Sequence, residues 1–332
     1  MNKSKKILIA VCAAVLAAAV IFGVLYAVFL RKSFPDVQTD EPINVNSVYV
    51  VSQPPYTDRW IFDSQMGMTY YWGEYHSRGN GIEVVLQQSK DGELIMLSEA
   101  LPAKSNADDL YGSEKQVGDL TLEELRQINL WYDLTNEEGF QEYVDLTGEK
   151  LTRAGVVTLD EMLEFFGAPG RVSVKLYLRF FDETKITDLS AALKTIYDGM
   201  TANHLEDNVV FCPQSDKAAA AADEACPDLA RAATTAEAKA LYNEGKHGKA
   251  PDDLPYSVIY EKVDDAFGSE EFIRYVRSSV GLDIVLSGVS EDDVLRYRNC
   301  GVTALATSDA KPFIQILKDA MLADRESKKA AN

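Results

Sequence analysis

The alternation of apolar and polar positions is clearest between Gly81 and Glu99, in the run GIEVVLQQSKDGELIMLSE. Two β-branched, apolar-rich segments flank a turn at Asp91-Gly92, the pattern of two strands and a tight connection. So short a connection cannot make a parallel crossover, so the second segment folds back beside the first. A turn centred there sets Ser98 opposite Val85 and Glu99 opposite Val84. Glu83, Val85 and Gln87 share one strand face, and the polar pair Glu83 and Ser98 marks the mouth of the hairpin as a place for a site.

The remaining pattern switches between the two periods. Ser47–Val51 is a short apolar strand ended by Ser52-Gln53-Pro54-Pro55. Thr121 and Thr158 each stand three residues before a glutamate and open an amphipathic segment, the capping-box signature of a helix start. Further strands are predicted at Val172–Leu178, Val209–Cys212, Leu229–Ala232, Ser257–Tyr260, Leu282–Leu286 and Val302–Ala306. Helices are predicted between them, at Leu189–Met200, Lys217–Ala225, Ala236–Asn243, Glu270–Ser279 and Asp292–Asn299, and a last one from Asp309 to Ala323. Alternation at this spacing predicts an α/β fold with a parallel sheet, and the total predicts a (β/α)8 TIM barrel over residues 47–323. Nine strand candidates compete for eight places, so one is peripheral.

Residues Ile7–Leu30 carry no charge. As a helix they would be about 36 Å long, enough to cross a bilayer. Lysines precede the run and Arg31-Lys32 follow it, so residues 1–32 are expected to be a single-pass anchor with the domain outside the cell membrane. A cleaved signal peptide is the rival, but the run is long for one. Residues 33–46 read as a linker, and the charged tail 324–332 as disordered.

Charge then narrows the partners. The chain has 33 Lys and Arg against 52 Asp and Glu, a net −19. Five of the basic residues and none of the acidic ones precede Asp36, leaving 28 against 52, or −24, on the rest. That argues against nucleic acid. Three cysteines lie beyond the anchor, Cys212, Cys226 and Cys300, an odd number without Cys-x-x-Cys spacing. Neither a disulfide scaffold nor a zinc site is expected. His76, His204 and His247 are scattered and show no triad spacing.

The hairpin also resembles the glycerophosphodiester phosphodiesterases, whose pattern is Glu-Leu-Asp-Val-Gln, then Lys-Asp-Gly, then a strand ending in His-Asp. Glu83, Gln87, Lys90, Asp91 and Gly92 match it. Partial matches continue from about Val48 to Leu317, including Thr121–Leu125, Thr158–Leu163 and Gly301–Asp309. The chemistry diverges. Where the family has His-Arg, this chain has Ser52 and Gln53. Val85 stands for the second acidic metal ligand, Ser98 for a catalytic histidine and Glu99 for the following aspartate. For the third ligand, a glutamate followed by Ile-Lys, one register offers Lys175. A register two residues later offers Tyr177, with Arg179 for the lysine.

The resemblance implies the TIM barrel, and a role connected with glycerophospholipid metabolism. In the family a divalent cation among three carboxylates and two histidines cleave a phosphodiester. Here only Glu83 could ligate a metal, so Ca²⁺ or Mg²⁺ is expected only if the family site survives, and no other cofactor is expected. No catalytic residue is assigned. The expected reading is a membrane-anchored pseudoenzyme that binds a small phosphorylated or glycerol-containing ligand, or a partner, through Gln53, Glu83, Gln87, Glu99 and Lys175. A hydrolase that uses another histidine, His76 being nearest, and a structural interaction domain are the alternatives. Lys175 is expected to pair with Glu83 or Glu99.

Overall fold

The computed structural model describes residues 48–54, 63–75, 81–101, 105–132, 153–171, 173–249 and 251–331. The expected anchor at 1–32, the linker at 33–46 and His76 lie outside them. Among the described residues no helix is long and apolar enough to cross a membrane.

Eight parallel staves close a ring among the described residues. β1 (Tyr49–Ser52) pairs with β2 (Gly81–Gln88), and the antiparallel pieces β3 (Leu94–Met96) and β4 (Val157–Thr158) follow in the chain. β2 next pairs with β5 (Lys175–Phe180), and β5 with β6 (Val209–Phe211). The short stave at Arg231 and Ala232 bridges Phe211 to Val258. The ring then runs through β7 (Val258–Lys262), β8 (Asp283–Ser287) and β9 (Ala304–Thr307) back to β1. The ninth strand candidate, the second arm of the hairpin, is therefore the peripheral one. β3 lies beyond the end of β1, beside the upper half of β2.

Helices cover the outside in two apolar layers. One includes α1 (Gln65–Tyr75), α4 (Leu159–Gly167), α5 (Leu189–Ala202) and α6 (Asp216–Ala225), packed on β2, β5 and β6. α2 (Ala107–Tyr111) and α3 (Leu122–Leu125) precede α4 in the chain. The other layer includes α7 (Thr235–Gly245), α8 (Glu270–Tyr275), α9 (Val294–Cys300) and α10 (Ala310–Ala331), against β7, β8, β9 and β1. The predicted capping boxes form: Thr121 and Thr158 each accept from the backbone of the glutamate three residues on, whose carboxylate bonds back. The closing helix, expected to end at Ala323, runs on to Ala331 in place of a disordered tail. Asp324 on that extension receives a hydrogen bond from Arg298, a tertiary contact that local composition does not reveal.

The segment between β3 and β4 builds its own small core. Leu97, Val117, Leu125, Ile128 and Trp131 are buried together there. The matched turn docks this insertion. Lys90 donates its backbone N–H to the Leu120 carbonyl at 2.8 Å, and Asp91 accepts the Leu122 N–H at 3.0 Å. Gly92 has φ +95°, a left-handed conformation that favours glycine. So Lys90, Asp91 and Gly92 hold architecture together.

Candidate functional site

In a TIM barrel the C-terminal ends of the strands are where sites are built. The barrel interior is filled by Val51, Tyr177, Val210, Ala232, Val258 and Val285, with Tyr49, Cys212 and Tyr260 packed against them. Tyr49 and Tyr177 share a hydrogen bond between hydroxyls at 2.5 Å. A Cβ at Gly81 would come within 3.0–3.2 Å of Val51, Tyr177 and Tyr49, so a glycine starts β2 because two tyrosine rings occupy the barrel floor. Tyr177 meets Tyr260 edge to face, with ring centroids 5.4 Å apart.

Glu83 sits above that floor. Its Oε1 accepts from Arg179 Nε at 2.6 Å, and its Oε2 accepts from Gln53 Nε2 at 2.8 Å and from the Tyr260 hydroxyl at 2.6 Å. Gln53 also donates to the Tyr260 oxygen at 2.9 Å. The Glu83 side chain is 7 % exposed and that of Arg179 27 %. Burial strengthens this pairing, because a carboxylate removed from water needs its charge and lone pairs satisfied locally. With its amide oriented to satisfy both neighbours, Gln214 accepts from Arg179 Nη1 and donates to the Phe180 carbonyl, each at 3.2 Å.

Burial, with Glu83 nearby, pushes the Tyr260 hydroxyl and the Cys212 thiol well above their ordinary values. Burial raises Tyr49 to about 12 and Tyr177 further. His204 and His247 follow the C-terminal ends of α5 and α7, in the helix-to-strand connections of the opposite face.

The structure brings together Gln53 and Glu83 of the expected residues and separates the others. Lys175 pairs in register with Gly81, at the start of β5, and its ammonium donates to the Asp207 carbonyl. The expected Lys175–Glu83 pair is thus replaced by Arg179–Glu83, because residue 179 lies two strand repeats higher on the same face. The register two residues later is the one the barrel adopts. Gln87 donates to the carbonyls of Leu97 (3.0 Å) and Glu99, so it laces the hairpin. Ser52 faces the helix layer and hydrogen-bonds the Tyr71 hydroxyl.

Ser98 is turned away from Glu83 by a register difference. Met96 pairs with Leu86 and the Leu97 N–H bonds the Val85 carbonyl, so Leu97, not Ser98, is opposite Val85. Such a one-residue slip moves a side chain to the other face. Ser98 instead donates its N–H (2.9 Å) and hydroxyl (2.5 Å) to Asp63 Oδ2. Asp63 is 4 % exposed and its Oδ1 is buried without a hydrogen-bond partner among the described residues. Desolvation, with Glu99 adding to it against the Ser98 hydrogen bonds, raises its carboxyl to about 6. Glu99 is exposed. Sequence reasoning missed Tyr260 and Asp63. Alternation through Val258, Tyr260 and Lys262 was the signal for the first, and Asp63 had none.

Beside these strand ends lies a cleft of about 420 Å³. Gln87, Gln116, Asp119, Phe181 and Lys185 are among its lining residues.

The barrel is similar in fold to those of solved glycerophosphodiester phosphodiesterases. A crystal structure of a putative glycerophosphoryl diester phosphodiesterase from Silicibacter pomeroyi superposes with a TM-score of 0.61 at 16 % identity, covering 82 % of this chain and 94 % of that one. A putative glycerophosphodiester phosphodiesterase from Galdieria sulphuraria gives 0.56 at 16 %, over 82 % and 98 %. An Oleispira antarctica phosphodiesterase in complex with the product sn-glycerol-3-phosphate gives 0.55 at 14 %, over 82 % and 96 %. At these identities the likeness is one of fold. No protein-family model and no curated protein matches the sequence.

The residues here do not fit the cation that the resemblance implies. A hard dication takes six or more oxygens. The positions at which the resemblance would set the ligands offer one carboxylate, a valine and a buried phenol, with a guanidinium 2.6 Å from the carboxylate. Among the described residues no group of three His, Cys, Asp or Glu side chains is placed to hold a metal ion.

Proposed function

We propose that this chain is a divergent, membrane-anchored member of the glycerophosphodiester phosphodiesterase family, in which metal-dependent hydrolysis has given way to ligand binding. The carrying observation is the Glu83 carboxylate. Three donors hold it, one of them the Arg179 guanidinium. A cation site needs that carboxylate free, and acid–base cleavage needs a group that titrates near the working pH. Val85 is buried at the second ligand position, and Ser52 and Ser98 turn to Tyr71 and Asp63.

The same residues support the ligand class. A small phosphorylated or glycerol-containing molecule suits a mouth with an arginine and glutamines beside a cleft of mixed lining that carries one exposed phenylalanine. Nucleic acid does not suit a chain that carries a net −24 from Asp36 onward. The anchor rests on the charge-free run Ile7–Leu30, and its flanking charges favour a domain outside the cell membrane.

The test is turnover. The full chain in detergent should release no product from glycerophosphocholine with added Ca²⁺ or Mg²⁺. Metal-dependent turnover that disappears in His76→Ala would overturn the reading in favour of a hydrolase.

A further inference from the structure

Strand alternation places Tyr177 and Arg179 on the inward face of β5, and Val258, Tyr260 and Lys262 on the inward face of β7. The inward residues at these strand ends thus include two cations, Arg179 and Lys262, and one carboxylate, Glu83. The rest of the chain is strongly acidic, so the mouth departs from the charge of its surroundings. The guanidinium is only partly used. Nε is committed to Glu83 and one Nη1 hydrogen to Gln214. Nη2 has no partner among the described residues, and the side chain keeps 27 % of its exposure. Lys262 is exposed, with no carboxylate at ion-pair distance among the described residues. Its stem lies against Gly288, where an added Cβ would come 3.2 Å from the Lys262 chain.

Resting on the reading that this mouth binds a phosphorylated ligand, we infer that Arg179 is its resident cation, assisted by Lys262, so that phosphate is held here without a metal ion. In this arrangement Glu83 orients the guanidinium through Nε and leaves the Nη2 edge for an oxyanion. A guanidinium suits this role because its charge does not depend on pH in the physiological range and its planar fork matches phosphate oxygens. The same carboxylate also limits affinity, since it offsets the arginine's charge and repels an anion at short range.

That last point separates the inference from a metal site. In a metal site Glu83 is a ligand, and Glu83→Gln weakens phosphate binding. With Arg179 as the cation, Glu83→Gln frees charge and tightens binding several-fold. The experiment is calorimetric titration of the full chain in detergent with sn-glycerol 3-phosphate and, separately, inorganic phosphate. Each is run with EDTA and with CaCl₂.

The expected result is binding that the chelator leaves unchanged within about twofold. Glu83→Gln should tighten it, and Lys262→Met should weaken it a few-fold. Arg179→Lys keeps the charge and loses the fork, so it should fall between wild type and Arg179→Met. Because Arg179→Met alone strands a buried carboxylate, Glu83→Gln with Arg179→Met is the companion variant, and it should lose at least about tenfold. Comparable losses for the two phosphates assign the site to the phosphate group, and a loss for glycerol phosphate alone assigns it to the glycerol and overturns the inference. Binding that requires Ca²⁺, weakening in Glu83→Gln, wild-type affinity in the double variant, or no binding of either phosphate would also overturn it. None of these outcomes touches the turnover assay, which judges the non-hydrolytic reading on its own.

Discussion

Arg231 shows how far a single residue can matter away from the mouth. Its side chain is 1 % exposed and holds Asp223 through Nε and Nη2 at 2.6 and 2.8 Å. It also holds Glu237 through Nη1 and Nη2, both at 2.8 Å. It thereby ties α6, the short stave and α7 together. Arg231→Met should cost about 3 kcal/mol in urea unfolding, the lower end for a broken buried pair, since both carboxylates are partly wet. Asp63 makes the opposite prediction. Its carboxyl is raised by burial from 3.8 to about 6, so the native state holds the proton more tightly than the unfolded chain. Its stabilising effect is complete below about pH 4 and is lost as pH rises through about 6. Asp63→Asn should match wild type near pH 4 and exceed it increasingly toward pH 7, by up to about 3 kcal/mol. Denaturation at a series of pH values reads the difference directly, and parallel curves for the two proteins would refute it.

At the scale of elements, the β2–β3 hairpin decides which side chains reach the mouth. The turn closes with Ser89 N–H on the Glu93 carbonyl and Gly92 N–H on Ser89. That geometry offsets the strands by one residue from a turn centred on Asp91-Gly92. The polar pair expected on one face is therefore divided, with Glu83 inward and Ser98 on Asp63. Helix starts were far more legible, because capping boxes are local: Thr158 and Glu161 satisfy each other's backbone within one turn. Thr158→Ala should cost about 1 kcal/mol, measurable as a lowered denaturation midpoint with unchanged slope. Gly81→Ala tests the barrel floor. An added methyl 3.0–3.2 Å from Val51, Tyr177 and Tyr49 is overpacking, with a cost of about 1–3 kcal/mol. A stability equal to wild type would mean that the tyrosine pair yields more easily than its packing suggests.

For the whole molecule, closure of the ring sets the levels at which residues meet. Glu83, Arg179 and Tyr260 come from three staves and Gln53 from just past the end of a fourth, up to 207 positions apart in the chain for the bonded pair Gln53 and Tyr260. The insertion between β3 and β4 is bound to the barrel by Trp131 Nε1 on Ser64 Oγ at 2.9 Å, and by the Lys90 and Asp91 contacts. The anchor proposal is tested at this scale as well. Deleting residues 1–32 should move the protein from the membrane fraction to the supernatant after alkaline extraction. Continued membrane retention of the truncated chain would rule out that segment as the sole attachment.

The sequence by itself determined the alternation of strands and helices, the helix caps and the Asp91-Gly92 turn. It also carries Ser52, Val85 and Ser98 where the resemblance led to the expectation of acids and histidines. Each of these is written within a few residues, by periodicity, by a side chain bonding its own turn, or by identity alone. The tertiary structure decided the rest. It chose Arg179 over Lys175, since parallel register is a property of two strands 96 residues apart in the salt bridge they form. It sent Ser98 to Asp63, because hairpin offset depends on the bonds inside the turn. It also extended the last helix to Ala331, where Arg298 reaches across to Asp324. Local pattern fixes which face a residue occupies within its own element. Only closure of the barrel fixes the height at which that face meets its neighbours, and with it the partner of Glu83.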